Sequence, residues 1–184
     1  MLFNPCFLEK SSFQRYIKPK DKELCIMDGK LKIYPVEKQD LELLFTLINE
    51  MALYEKRPQD MTGSVPLLEY WLFERAVASA YIAEYQGKTV GYAIYYPVFG
   101  SFSSKGRVHL EDIYIREEFR RQGMGKEFFS FIASRILEEG YAGLEWNCLS
   151  WNKNALDFYD RIGAKRETGR EYFYFSQEQL EEFF

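Results

Sequence analysis

Val108-His109-Leu110-Glu111-Asp112-Ile113-Tyr114-Ile115, followed after a short link by Arg120-Arg121-Gln122-Gly123-Met124-Gly125-Lys126, is the stretch from which the fold is read. The first part is rich in apolar and β-branched residues and reads as a strand over 108–115. The second part carries two glycines and opens a helix over about 123–139. In that helix Phe128, Phe129, Ile132, Ile136 and Leu137 share one face, and Gly140 closes it. A further strand reads over 143–149. Upstream, 79–85 and 89–98 are strands joined by a turn at Gln86-Gly87-Lys88, and 99–106 reads as a Ser- and Gly-rich loop.

Further out, 31–36 alternates as a strand. Residues 38–56 then place Leu41, Leu44, Phe45, Ile48, Met51, Ala52 and Tyr54 at helical spacing until Arg57-Pro58 stops them. Ser64 is suited to cap a second helix, with Pro66 in its first turn, running to about residue 76. Downstream, 152–162 is a short helix stopped by Gly163. Two last strands are expected around Gly169, the second over 172–175, and Ser176-x-x-Gln179 forms a capping box for a terminal helix. The order βααβββαβαββ, with an added helix, is that of an α/β (α+β) chain. Residues 31–184 read as one domain. Residues 1–30 read as an N-terminal extension, with a hairpin-turn signal at Asp28-Gly29 and an alternative start at Met27.

With 184 residues, 47% hydrophobic and 18% aromatic, the chain can bury a sizeable core and is not of disordered composition. No apolar run is long enough to span a membrane, and the first residues lack the layout of a signal peptide, which points to the cytoplasm. Three scattered cysteines and one histidine supply neither a disulfide framework nor metal-ligand spacing, so no metal is expected. A net charge of −4 argues against a nucleic-acid partner and suits a cationic one.

The glycine loop carries the chemistry. Gly123 and Gly125 let the backbone approach a ligand closely, and the free N–H groups of a helix start favour phosphate oxygens. Arg120, Arg121 and Lys126 add positive charge. The spacing is not that of a P-loop, because Glu127 follows Lys126. It is not that of a dinucleotide loop either, because Phe128 stands at the third glycine position. A tight turn that merely joins strand to helix remains the plain alternative.

In this context Arg120-Arg121-Gln122-Gly123-Met124-Gly125 resembles the Gln/Arg-x-x-Gly-x-Gly/Ala signature of the GNAT superfamily of acetyltransferases. Leu110–Ile115, the 145–164 stretch with Trp151-Asn152 and Asn154 to Ala164, and Met51-Ala52-Leu53-Tyr54-Glu55 resemble its spermidine/spermine N-acetyltransferase branch. The resemblance covers about residues 31–176. It implies a central, mostly antiparallel twisted sheet flanked by helices, with strands 108–115 and 143–149 splayed apart for the arm of acetyl-coenzyme A. It also implies direct transfer in a ternary complex, and a homodimer. The donor's contacts are then expected at Ile113, Tyr114 and Ile115, at Arg120, Arg121, Gln122, Gly123, Met124, Gly125 and Lys126, and at Asn152, Asn154 and Phe158.

Acetylating an amine requires a deprotonated nitrogen and a protonated leaving thiolate. For an amine of pKa ~10.4, deprotonation near neutral pH costs roughly 4 kcal/mol, so a base is useful. Glu111 is the expected base, acting through a water, against the alternative of a solvent-facing strand residue. Tyr159, within Asn154-x-x-x-Phe158-Tyr159-x-x-x-Gly163, is the expected acid, although the chain holds 14 tyrosines. Strand alternation places Asp112 on the face opposite Glu111. Tyr54, Glu55, Glu111 and Asp112 make up an acidic, aromatic acceptor pocket for a small-molecule amine. Asn152 and Asn154 suit either donor contacts or helix capping. His109 reads as a structural histidine in preference to a relay, and Cys148 lacks the partner a nucleophile needs. The expected activity is acetyl transfer to a diamine or polyamine. Trp146 and Asn147 depart from the polyamine branch, leaving a lysine-like amino acid, an aminoglycoside or a peptide amine as alternatives. A non-catalytic acyl-coenzyme A-binding module is the reading from a different class.

Overall fold

The computed structural model describes residues 30–184; Met27 and the turn read at Asp28-Gly29 lie outside the described residues. The contacts divide the chain into one compact unit ending at Asn147 and a second over Cys148–Phe184.

The first unit is built on five strands in sequential order: β1 (Lys32–Pro35), β2 (Ser79–Tyr85), β3 (Lys88–Gly100), β4 (Lys105–Ile115) and β5 (Leu144–Trp146). All neighbours are antiparallel except β4 and β5, which are parallel because helix α3 (Met124–Glu138) crosses between them. Two cores follow from strand alternation. Tyr81, Ala83, Ala93, Tyr95, Val108 and Leu110 bury against Phe128, Phe131, Ile132 and Ile136 of α3. Ala80, Ile82, Tyr92, Ile94 and Tyr114 bury against Leu41, Leu44 and Leu47 of helix α1 (Leu41–Tyr54) on the other face. The sheet is thus a two-faced wall whose β4 reaches both cores.

A bulge in β4 explains how it reaches both. Ile94 faces Asp112 but the next residue, Tyr95, faces Leu110, so Glu111 is an extra residue with no partner on β3. An inserted residue shifts the side-chain phase by one. Leu110 therefore packs on the α3 side, whereas Tyr114, four residues on, packs on the α1 side.

Local chemistry departs from the sequence reading in four places. The stretch 99–106 is mostly strand: β3 and β4 pair out to Gly100↔Lys105, leaving a turn over 101–104 in which Ser104 takes φ 53°. The second helix is α2 (Val65–Glu69), continued to Glu74 by a wider π-type turn in which Arg75 N–H reaches the Tyr70 carbonyl at 2.8 Å; Ser64 is extended but its side chain makes no cap bond. The strand expected over 143–149 is only three residues long, with its ladder ending at Leu110↔Trp146. The two strands expected around Gly169 do not form.

The second unit holds helix α4 (Lys153–Arg161) and helix α5 (Gln177–Phe183). The 172–175 aromatic run between them is 55–88% exposed and belongs to no strand. Strand preference expresses packing on a pleated, half-buried surface, and this run has none among the described residues. The capping box does form: Gln179 N–H donates to Ser176 Oγ at 3.2 Å and Ser176 N–H to Gln179 Oε1 at 2.9 Å.

Candidate active site

The glycine loop lies between the end of β4 and the start of α3. Gly123 is the residue before the helix and takes φ 87°, a left-handed conformation that L side chains rarely adopt. Lys126 and Glu127 both donate their N–H to the Gly123 carbonyl at 3.1 Å. The N–H groups of Gly123, Met124 and Gly125 precede them and find no acceptor among the described residues. A Cβ at Gly123 would meet nothing within 4 Å, and at Gly125 only Ile115 Cγ1 at 3.8 Å, so both backbones stand open. Arg121 and Lys126 are exposed beside them. Three donors, the positive end of a four-turn helix and two free-standing cations form a cradle that fits an anionic diphosphate.

Beside the cradle, β4 runs on past the end of its β5 ladder. From Asp112 to Ile115 its only ladder among the described residues is with β3, so Ile113, Tyr114 and Ile115 lie on the strand edge beyond the end of the β5 ladder. A strand edge without a neighbour offers hydrogen bonds to an extended amide chain.

The bulge brings the acidic residues together. Asp112 was expected on the face opposite Glu111; instead the phase shift at Glu111 turns Asp112 toward α1, where Tyr92 O–H donates to its Oδ2 at 2.9 Å. Met51 Sδ lies 3.1 Å from the same hydroxyl. Burial, with the nearby Glu111 and Glu55 carboxylates, pushes the Asp112 carboxyl up to about 6, against the opposing pull of the Tyr92 hydrogen bond. Burial also raises Glu55, partly countered by Arg57. Glu111 itself is more than half exposed, its Oε2 lying 4.0 Å from His109 Nε2. His109 stacks on Tyr96 and has its other ring nitrogen 3.8 Å from Glu145, which is paired with Arg107 at 2.6 Å.

Tyr54 closes α1, and the Arg120 guanidinium stacks over its ring at 4.2 Å. Arg120 Nε donates to the Ile115 carbonyl at 2.7 Å. Glu55 and Glu111 thus lie near enough to Asp112 to raise its carboxyl, and Tyr54, the residue before Glu55 at the end of α1, carries Arg120 on its ring. Gln122 is exposed, its amide on the Glu118 carbonyl at 2.7 Å, and Met124 is buried in the α3 core.

The remaining expected residues lie in the second unit. Asn152 is 8% exposed and caps α4, accepting from Ala155 N–H at 3.3 Å. Asn154 is exposed on the first turn. Phe158 and Tyr159 are partly buried neighbours on α4, their rings edge to face at 5.4 Å.

Two residues escaped the sequence reading. Tyr92, the partner of Asp112, is one strand tyrosine among many and carries no distinguishing signal. Gly91 did carry one: a glycine inside a strand marks a close approach, and a Cβ there would lie 1.8 Å from the Tyr114 carbonyl oxygen. Among the described residues no group of three or more His, Cys, Asp or Glu is arranged to hold a metal, and no helix is long and apolar enough to cross a membrane.

Known proteins share both pattern and fold. The chain is 30% identical over 131 residues to a thialysine N-epsilon-acetyltransferase of Caenorhabditis elegans, covering 71% of this chain and 81% of that protein. It is 36% identical over 138 residues to the protein of the same name from Bos taurus, covering 70% and 80%. An integron cassette protein from the mobile metagenome of V. cholerae superimposes with a TM-score of 0.69 at 25% identity, covering 84% of this chain and 98% of that one. The profile of the family described as Acetyltransferase (GNAT) matches residues 43–164, two thirds of the chain and all of the site in the first unit. The chain belongs to the acetyltransferase (GNAT) family and is an N-acetyltransferase.

Proposed function

We propose that this enzyme transfers the acetyl group of acetyl-coenzyme A to the terminal primary amine of a small cationic acceptor of the diamine or polyamine class, directly and within a ternary complex. The observation that carries the acceptor class is the acidic set at the end of α1: partly buried Asp112, with Glu55 and Glu111 close enough to raise it, beside Tyr54 and Tyr92. Three carboxyl groups in one place cost free energy that an ammonium group relieves. The cradle at Gly123–Gly125, with Arg121 and Lys126, suits the donor's diphosphate, and the open edge of β4 suits its amide-bearing arm.

Acetyl-coenzyme A supplies an activated thioester carbonyl. Glu111, standing half in solvent at the bulge, takes the proton of the acceptor ammonium through a water, leaving a nitrogen able to attack. A β4 N–H near Ile113 donates to the carbonyl oxygen as charge develops there. As the C–N bond forms and the C–S bond breaks, Tyr159 gives its hydroxyl proton to the departing sulfur. Asp112 and Glu55 hold the acceptor's positive charge. The resemblance to the family assigns Asn152, Asn154 and Phe158 to the donor as well.

The thialysine relatives favour a second reading of the acceptor, a lysine-like amino acid bearing a side-chain amine. A thiol-release assay with acetyl-coenzyme A against spermidine, spermine, putrescine, thialysine, lysine, an aminoglycoside and a peptide separates the two. Turnover of the polyamines and putrescine above thialysine supports the proposal; thialysine alone moves the assignment to the amino acid; silence throughout, with acetyl-coenzyme A still bound, supports a binding module instead. The implied homodimer is checked by sedimentation, and cytoplasmic residence by fractionation.

A further inference from the structure

Arg116 and Arg120 lie four positions apart in the link that follows β4, and they reach two residues that are also four apart on α1. Arg116 grips Glu50 with two hydrogen bonds, Nε to Oε2 at 2.8 Å and Nη2 to Oε1 at 2.6 Å, and sends Nη1 to the Thr89 carbonyl at 3.2 Å. Arg120 covers the ring of Tyr54 at 4.2 Å and lies 5.7 Å from that of Tyr114. Residues four apart share one helix face, so the two arginines dock the last turn of α1 onto the strand and loop. The contacts differ in kind. The first is a fixed two-pronged ion pair; the second is a stack, which can slide. A cation at the C-terminal end of α1 is also favoured by the helix dipole.

The signature on which the sequence reading rests would send Arg120 to phosphate. Its geometry is that of a group already engaged: its Nε is spent on the Ile115 carbonyl and its face on Tyr54. Arg121 and Lys126, both exposed, remain beside the unpaired N–H groups at the start of α3. We propose that Arg120 is a positioning residue of the acceptor pocket, holding Tyr54 and through it Glu55, so that loading of the glycine loop is felt at the end of α1. This rests on the reading of the acidic set as the amine site. Coupling of this kind is reciprocal, so acetyl-coenzyme A binding should tighten the acceptor site and the acceptor should tighten the donor site.

The test uses the full chain with Arg120→Gln and Arg120→Lys. Three quantities are read: the Kd of acetyl-coenzyme A by calorimetry, KM and kcat for the amine turned over, and hydrogen exchange of the peptide covering 50–56 with and without acetyl-coenzyme A. The expected result for Arg120→Gln is a donor Kd within about threefold of wild type and an acceptor KM raised about tenfold, kcat changing less. Arg120→Lys, which keeps a cation over the ring, should recover part of that loss. Acetyl-coenzyme A should protect 50–56 in wild type and not in Arg120→Gln. A donor Kd weakened about tenfold with acceptor KM unchanged would make Arg120 a phosphate ligand and overturn the proposal. If no amine is turned over, the proposed function fails, while the exchange measurement still decides: equal protection in wild type and Arg120→Gln overturns the coupling.

Discussion

Replacing Asp112 with asparagine should change how stability depends on pH. In the folded chain the Asp112 carboxyl titrates at about 6, because burial and two neighbouring carboxylates disfavour its charge; its ordinary value is 3.8. Folding therefore favours the protonated form. The stability this contributes is fully present below about pH 3.8 and is lost as pH rises through 6. A gap of about 2 pKa units corresponds to about 3 kcal/mol at most, reduced by the water that reaches a partly exposed site. Asparagine cannot ionise and keeps a group able to meet the Tyr92 hydroxyl. Its replacement adds a constant offset, but the pH-dependent part of the difference isolates the carboxyl. Urea unfolding of both proteins at pH 4.0 and 7.5 is the assay. Relative to wild type, Asp112→Asn should gain about 1 to 2 kcal/mol on going from the lower pH to the higher. Glu55 and Glu139, also raised by burial, titrate in both proteins and largely cancel. A stability difference that is the same at both pH values would refute the electrostatic account of this pocket.

Tyr159→Phe should lower kcat by roughly 10²-fold or more with donor affinity little changed, as expected for loss of a proton donor; full wild-type turnover would remove Tyr159 from the chemistry. Gly123→Val places a β-branched residue at φ 87° in the cradle and should weaken acetyl-coenzyme A binding at least about tenfold by calorimetry, while unchanged affinity would remove the diphosphate from this loop. Gly91→Ala forces a Cβ to within 1.8 Å of a backbone oxygen of β4, so the strands must part; a loss of about 3 kcal/mol or failure to fold is expected, and an unchanged Tm would contradict the β3–β4 geometry. Ser176→Ala removes one half of the α5 capping box and should cost about 1 kcal/mol of local helix stability, visible as faster exchange over 177–180 and not as a changed acetylation rate.

What could be read from the sequence was whatever depends on period and local conformation. The strand read over 108–115, within the observed Lys105–Ile115, follows from its apolar and β-branched content, and the helix after the glycine loop follows from a 3.6-residue apolar stripe. The capping box at Ser176 is likewise local and could be read directly. The bulge was not legible, because nothing in Leu110-Glu111-Asp112 announces that one residue will go unpaired; pairing is decided across strands. The placement of Asp112 failed for that reason alone. Tyr92 was missed because a hydrogen bond between residues 20 positions apart leaves no trace in spacing. The 172–175 run failed in the opposite way: its composition is that of a strand, but a strand also needs a neighbour. The extent of β5 depended on how far its ladder with β4 reaches, which is a property of the sheet and not of residues 143–149.

The unpaired Glu111 also sets what this site can tolerate in length. Because it acts as a phase inverter within β4, removing it would do more than delete a carboxylate. The strand would regain strict alternation, and one half would have to rotate. Either Asp112 would swing toward Phe128 and Ile132 with no hydroxyl to meet it, or Leu110 would be drawn out of the core it fills. Point substitution at 111 is thus a question about chemistry, whereas a one-residue deletion there is a question about whether the sheet can form. For folding, length along β4 is under a stricter constraint than identity, so the sheet should tolerate a changed side chain at this position far more readily than a changed register.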